Sequence, residues 1–168
     1  MYQRILVGVD NSEASRAALA HAVALAAAQR AQLRAVHVAE EIPGGLFDYP
    51  STVIADVRRA AEEEGDRVLA RAQDAARQAG VDVETRLLRI VSPYPRIARL
   101  LVNEAQDWAA DLIVLGTHGR RGIDRLLLGS VAEGVSRLAT VPVLLVRQPP
   151  AKSAAKSVGL RDLPLIPD

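Results

Sequence analysis

Short apolar runs alternate along this chain with longer stretches whose apolar residues recur at three and four, and the two patterns predict different elements. Residues 4–10, RILVGVD, form a compact apolar run ending in polar residues, which suits a strand buried on both faces. Ser12 then caps a helix over residues 13–30, alanine-rich with Leu19, Val23 and Leu25 adding bulk, so that it can pack closely on a sheet. QLRAVHVAE (32–40) is a second strand, and IPGGLFDYPS (42–51), with two prolines and two glycines, an exposed loop. From 52 to 79 the positions Ile54, Val57, Ala61, Val68, Ala72, Ala75 and Ala79 predict a helix with one apolar stripe, stopped by Gly80. VDVETRLLRI (81–90) reads as a third strand. Residues 95–109 read as a third helix with Ile97, Leu101, Ala105 and Trp108 inward, and DLIVLGT (111–117) as a fourth strand. A helix over 130–139 and a strand over 141–147 close the series, and Pro142, which cannot donate to a ladder, places that last strand at a sheet edge.

Strict alternation of strand and helix with five strands is the signature of an open, doubly wound parallel sheet with helices on both faces. In such sheets ligands sit beyond the carboxyl ends of the strands, where the strand order reverses. Two motifs fall at carboxyl ends. The first strand ends in Asp10-Asn11-Ser12, and the fourth runs into GTHGRRGIDRLLLGS, residues 116–130. The second motif holds glycines at 116 and 119, then nine residues, then Gly129-Ser130 opening an amphipathic helix. Glycine allows close backbone approach, and the free N–H groups of a helix start attract anions, so the motif describes a phosphate cradle. If the first and fourth strands are neighbours, a carboxylate that can accept ribose hydroxyls faces that cradle across one crevice.

Composition narrows the alternatives. The chain has 168 residues and 49% hydrophobic content, enough for one domain with a substantial core. With 21 basic and 20 acidic residues, it has no global attraction for nucleic acid or anionic lipid. It has no cysteine, which excludes disulfides, thiolate metal sites and thiol nucleophiles. The opening residues do not read as a signal peptide, and no apolar run approaches the roughly 20 residues of a membrane span, so a cytoplasmic protein is expected. After Arg147 the sequence turns rich in proline, alanine and serine, as expected of a flexible tail over 148–168. No GxGxxG follows the first strand and no GxxxxGK[ST] occurs, which disfavours dinucleotides and a P-loop.

The residues ILVGVDNS, HVAE, ADLIVLGTHGRRGIDRLLLGSVAE and VPVLLVR together resemble the universal stress proteins, in their nucleotide-binding branch, over residues 2–147. The family's phosphate pattern, glycine, two residues, glycine, nine residues, glycine, then serine or threonine, is met by Gly116, Gly119, Gly129 and Ser130. The resemblance implies a sheet ordered 3-2-1-4-5, a nucleotide-binding domain over 1–147, and a homodimer formed through the fifth strand. It implies ATP as ligand, with Mg²⁺ through the phosphates. It places Asp10 on the ribose beside Gly8 and Val9, the backbone near Val38 on the adenine, and Gly116, Gly119, Arg120, Gly129, Ser130 and Val131 around the phosphates. Two departures stand out: SPYP (92–95) where the family has a glycine turn, and Gly134 inside the last helix, at a cost of roughly 1 kcal/mol relative to alanine.

Each candidate also has a structural reading. Asp10 can cap the following helix, and Ser130 with Glu133 forms a capping box. Arg120, Arg121 and Arg125 can be solvated loop charges, and His118 a plain loop histidine. His21 and His37 lie on a helix and a strand without carboxylates at ligand spacing and read as structural. The function expected is a stress-response or signalling module that works through nucleotide occupancy and dimerisation. The alternatives are a slow ATP hydrolase and a nucleotide-free interaction module.

Overall fold

The computed structural model describes residues 1–39, 50–90, 97–117 and 128–147. The expected loop at 42–49, the SPYP turn, His118, Gly119, Arg120, Arg121, Arg125 and the tail from 148 lie outside the described residues.

Five strands and four helices alternate in chain order: β1 Arg4–Gly8, α1 Glu13–Gln29, β2 Gln32–Ala39, α2 Ser51–Gln78, β3 Val83–Arg89, α3 Ile97–Asp107, β4 Leu112–Gly116, α4 Ser130–Leu138 and β5 Val143–Val146. The strands form one parallel sheet ordered β3-β2-β1-β4-β5, as expected. β1 and β4 are buried on both faces: Ile5, Leu6, Val7, Ile113 and Val114 are fully inaccessible. Each such side chain contributes about 1.5–3 kcal/mol relative to leaving it in water.

The period of two sorts these strands between two cores. Ile5, Val7, Leu33, Ala35, Leu112 and Val114 meet α1 and α2 on one face, whereas Leu6, Val36, Ile113 and Leu115 meet α3 and α4 on the other. α1 approaches the sheet through Ala14, Ala18, Ala22 and Ala26, which keep its axis close. Ser12 caps it as expected, its hydroxyl accepting from the N–H of Ser15 at 3.1 Å, and Arg30 ends it in the left-handed region at φ 54°. Gly80, at φ +69°, takes the conformation that ends α2.

Two local expectations are corrected. In α2 the buried stripe runs through Gly65, Val68, Leu69, Ala72 and Ala76, and Ala75 and Ala79 are exposed. Alanine occurs on every face of this helix and its methyl is too small to mark the inward one. Trp108 packs against the core under α3 and α4 as expected, and its half-buried ring carries the Arg34 guanidinium 4.4 Å above its centre. Arg34 in turn pairs at 2.8 Å with Glu104, a buried carboxylate of α3. Gly134 is not simply a weak point of α4: a Cβ there would lie 2.7 Å from the Cβ of Ala98, so its bareness lets α3 and α4 touch.

Candidate functional site

The sheet order reverses between β1 and β4, which run in parallel with Ile5, Leu6 and Val7 opposite Leu112, Ile113 and Val114. Helices leave in opposite directions from these two strands, so their carboxyl ends bound a crevice. β1 contributes Gly8 and then the turn Val9-Asp10-Asn11-Ser12. β2 pairs with it so that Gly8 faces Val36, and Val38 lies two residues further along β2 at the same end of the sheet. β4 contributes Gly116 and Thr117 from the other side.

Asp10 is half-buried and its position is locally fixed. Its Oδ1 accepts from the N–H of Ser12 at 2.8 Å, and its own N–H donates to the Ser15 hydroxyl at 2.8 Å. These bonds fold the turn back onto the first turn of α1, which is the capping role open to this aspartate. They occupy one carboxylate oxygen, Oδ1, and among the described residues Oδ2 has no hydrogen-bond partner. Capping and ligand contact therefore coexist in one side chain.

Val9 is buried beneath the turn, its N–H donating to Val36 at 2.9 Å and its carbonyl accepting from His37 Nδ1 at 2.7 Å. His37 thus has the structural part expected of it, as does His21, whose Nδ1 lies 2.9 Å from the Ala17 carbonyl.

The glycines do different jobs. At Gly8 a Cβ would lie 2.5 Å from Leu115 Cδ2, so its bareness serves core packing. At Gly116 a Cβ would lie 2.6 Å from the backbone carbon of Ala14 and 2.8 Å from its oxygen. Backbone cannot yield as a side chain can, so Gly116 is required for α1 to start against the end of β4. Gly129 has φ −61° and ψ 146°, which any residue adopts.

Gly129, not Ser130, is the N-cap of α4, which corrects the capping-box reading. Ser130 is the first helical residue and exposed, and the Glu133 carboxylate pairs with Arg137 at 2.6 Å. The first intrahelical bond runs from Glu133 N–H to the Gly129 carbonyl at 2.9 Å. The N–H groups of Ser130, Val131 and Ala132 precede it and have no place in the helix ladder. The N–H of Gly129 donates to the Thr117 carbonyl at 2.8 Å, which fastens the start of α4 to the end of β4. The structure therefore brings Gly8, Val9, Asp10, Val38, Gly116, Gly129, Ser130 and Val131 to one end of the sheet.

A parallel sheet whose order reverses between β1 and β4, with helices on both faces, defines the class of open, doubly wound α/β proteins. The chain matches the Universal stress protein family over residues 1–147. It is 35% identical over 153 residues to Universal stress protein YxiE of Bacillus subtilis, covering 88% of this chain and all of that one. The chain belongs to the universal stress protein family.

Among solved structures, a universal stress protein in complex with cAMP is similar, with 31% identity, a TM-score of 0.63, and coverage of 86% of this chain and 97% of that one. A universal stress protein from Archaeoglobus fulgidus in complex with dAMP has 26% identity, a TM-score of 0.60, and coverage of 86% and 98%. UspA from Lactobacillus plantarum, at 24% identity, a TM-score of 0.74 and coverage of 87% and 98%, shares the fold.

Among the described residues no His, Cys, Asp or Glu group is disposed to hold a metal ion by itself, and no helix is long and apolar enough to cross a membrane. Sequence reasoning missed the side chains of α2 that reach the Asp10 turn. Asn11 is bonded to Glu64 and Arg71, more than fifty residues away. Their only sequence signal is a polar pair seven residues apart on one face of a helix.

Proposed function

We propose that the crevice between the carboxyl ends of β1 and β4 binds ATP, with Mg²⁺ accompanying the phosphates, and that occupancy of this site in a homodimer is the state read by a signalling partner. The observation that carries the reading is the bond from Gly129 N–H to the Thr117 carbonyl, which holds the free N–H groups of α4 across the crevice from Asp10. The donor set fits the ligand: amide N–H groups at a helix start suit an anion, and a carboxylate with an oxygen to spare suits a diol.

In this reading Asp10 accepts from the ribose hydroxyls, with Gly8 and Val9 forming the wall beside it and the Val38 backbone meeting the adenine. Gly116, Gly119, Arg120, Gly129, Ser130 and Val131 surround the phosphates. The relatives solved with cAMP and dAMP support an adenine nucleotide as the ligand class. The four-residue glycine and serine pattern at 116, 119, 129 and 130 supports a triphosphate. Residues 1–147 form the nucleotide unit, and the segment from 148 is dispensable for it.

The test is mass spectrometry of small molecules released from the purified protein on denaturation, followed by calorimetry with nucleotide-stripped protein. Adenine nucleotide in the first and ATP binding in the second are expected. Asp10→Ala loses charged hydrogen bonds to the sugar, for which about 1.5–3 kcal/mol, or roughly tenfold to a hundredfold in affinity, is expected. A stripped protein that takes up no adenine nucleotide overturns the reading. Hydrolysis followed in the same samples is expected to be slow; rapid turnover lost with Asp10→Ala would make the protein an enzyme.

A further inference from the structure

Asn11 stands next to Asp10 in the turn that leaves β1, half-buried, with both ends of its side-chain amide engaged by α2. Its Nδ2 donates to Glu64 Oε1, and its Oδ1 accepts from the Arg71 guanidinium. The two partners have opposite charges, so the amide is held in one sense: turning it over would set its NH₂ against a cation and its oxygen against an anion. Glu64 is itself oriented, since Arg67 donates to its other oxygen through Nε at 3.3 Å and a terminal nitrogen at 3.1 Å. Arg16 of α1 donates to the Asn11 backbone carbonyl at 3.1 Å.

The turn is thus tied to two helices. Its local bonds, Ser12 N–H to Asp10 Oδ1 and Asp10 N–H to Ser15 Oγ, fix its shape on α1. The Asn11 clasp fixes its position relative to α2 and, through α2, to β2 and β3, on which that helix packs. A carboxylate that accepts two hydroxyls of one sugar needs its place set to within about half an ångström. The local cap moves with α1 and cannot provide that reference by itself.

We propose that Asn11, clasped by Glu64 and Arg71, is a positioning residue that aims Asp10 at the ribose and so sets the preference of the site for a nucleotide bearing ribose hydroxyls. This rests on the reading of the crevice as an adenine nucleotide site. Loosening the clasp weakens the contact to the sugar and leaves the contacts to base and phosphates in place. Discrimination between sugars is therefore the property it controls.

The experiment compares ATP with 2′,3′-dideoxy-ATP by calorimetry on nucleotide-stripped full-length protein. Wild type is expected to prefer ATP by roughly tenfold or more, a preference that Asp10→Ala abolishes. Asn11→Ala is expected to shrink that preference by about threefold or more, with dideoxy-ATP affinity within about twofold of wild type. Asn11→Asp sets a new carboxylate against Glu64 and is expected to shrink it likewise. Combining Asn11→Asp with Glu64→Gln restores it, because the new amide donates to the new carboxylate while Arg71 still pairs with it. Should Asn11→Ala fail to fold, Glu64→Ala, on a partly exposed site where alanine favours the helix, carries the same expectation. Wild-type preference for ATP that survives unchanged in Asn11→Ala or Glu64→Ala overturns the positioning role alone. Equal loss of both nucleotides overturns it too, since that is the mark of a general structural defect. A wild type that binds neither nucleotide overturns the site reading and the positioning role together.

Discussion

The imidazole of His37 donates through Nδ1 to the carbonyl oxygen of Val9 at 2.7 Å, a buried bond between the end of β2 and the end of β1 beneath the Asp10 turn. A carbonyl can only accept, so this nitrogen carries the proton. The ring lies against α2 where Gly65 has no side chain; a Cβ there would come within 3.0 Å of His37 Cδ2. The bare backbone at 65 makes room for Leu87, whose Cδ1 would lie 2.5 Å from that Cβ, and for the imidazole beside it.

His37→Phe keeps the ring and removes the donor, leaving the Val9 carbonyl buried without it. A loss of about 1–3 kcal/mol is expected, read as a lower urea midpoint at unchanged slope. An unchanged midpoint would show that water or another donor takes over the carbonyl.

Gly134→Ala offers a direct contest between helix propensity and packing. Propensity alone makes alanine better by about 1 kcal/mol, but the 2.7 Å approach to Ala98 Cβ makes it an overpacking change, which costs about 1–3 kcal/mol. Net destabilisation is expected, and a double-mutant cycle with Ala98→Gly should show favourable coupling. Additive effects in that cycle, by thermal unfolding, would mean that α3 and α4 separate freely to admit the methyl.

Gly116 and Gly129 respond differently to a side chain. Gly116→Val drives atoms into the backbone of Ala14, so it should lower stability by more than about 3 kcal/mol and is a poor probe of binding. Gly129→Val keeps a permitted backbone and should leave the fold intact while abolishing ATP binding. Gly129→Val protein that is folded by circular dichroism and binds ATP like wild type would remove Gly129 from the site.

Dimerisation is expected through β5. The two edges of the sheet differ: β3 exposes Glu84, Thr85 and Arg86, charges that discourage strand pairing, whereas β5 reads Val143, Leu144, Leu145, Val146. Light scattering should report a dimer at micromolar concentration, Leu144→Lys should give monomer or insoluble protein, and a chain ending at 147 should remain folded and dimeric. A dimer lost on that truncation would assign the subunit contact to residues beyond 147.

The alternation of apolar runs with three-and-four spacing was sufficient for the element order and the parallel sheet, because strand and helix periods come from local backbone geometry. RILVG and LIVLG could be read as strands buried on both faces from the lack of any polar alternate position, and Ser12 as a cap from its place before a periodic stretch. The candidate crevice was legible in part for a similar reason: a parallel sheet places every functional turn at one end, while the strand order that joins the first turn to the fourth came from the family resemblance and not from local pattern. What the tertiary structure decided is the purpose of individual small and polar residues. A glycine in a sequence reads as a turn or a weakness, and whether it is there for Leu115, for the Ala14 backbone or for Ala98 depends on which elements approach it from elsewhere in the chain. The inward face of an alanine-rich helix is likewise undetermined by methyl groups spread around its surface, so Ala76 rather than Ala75 was settled by packing. The clasp on Asn11 joins residues 53 and 60 positions apart, and no local pattern encodes a contact created by the fold itself.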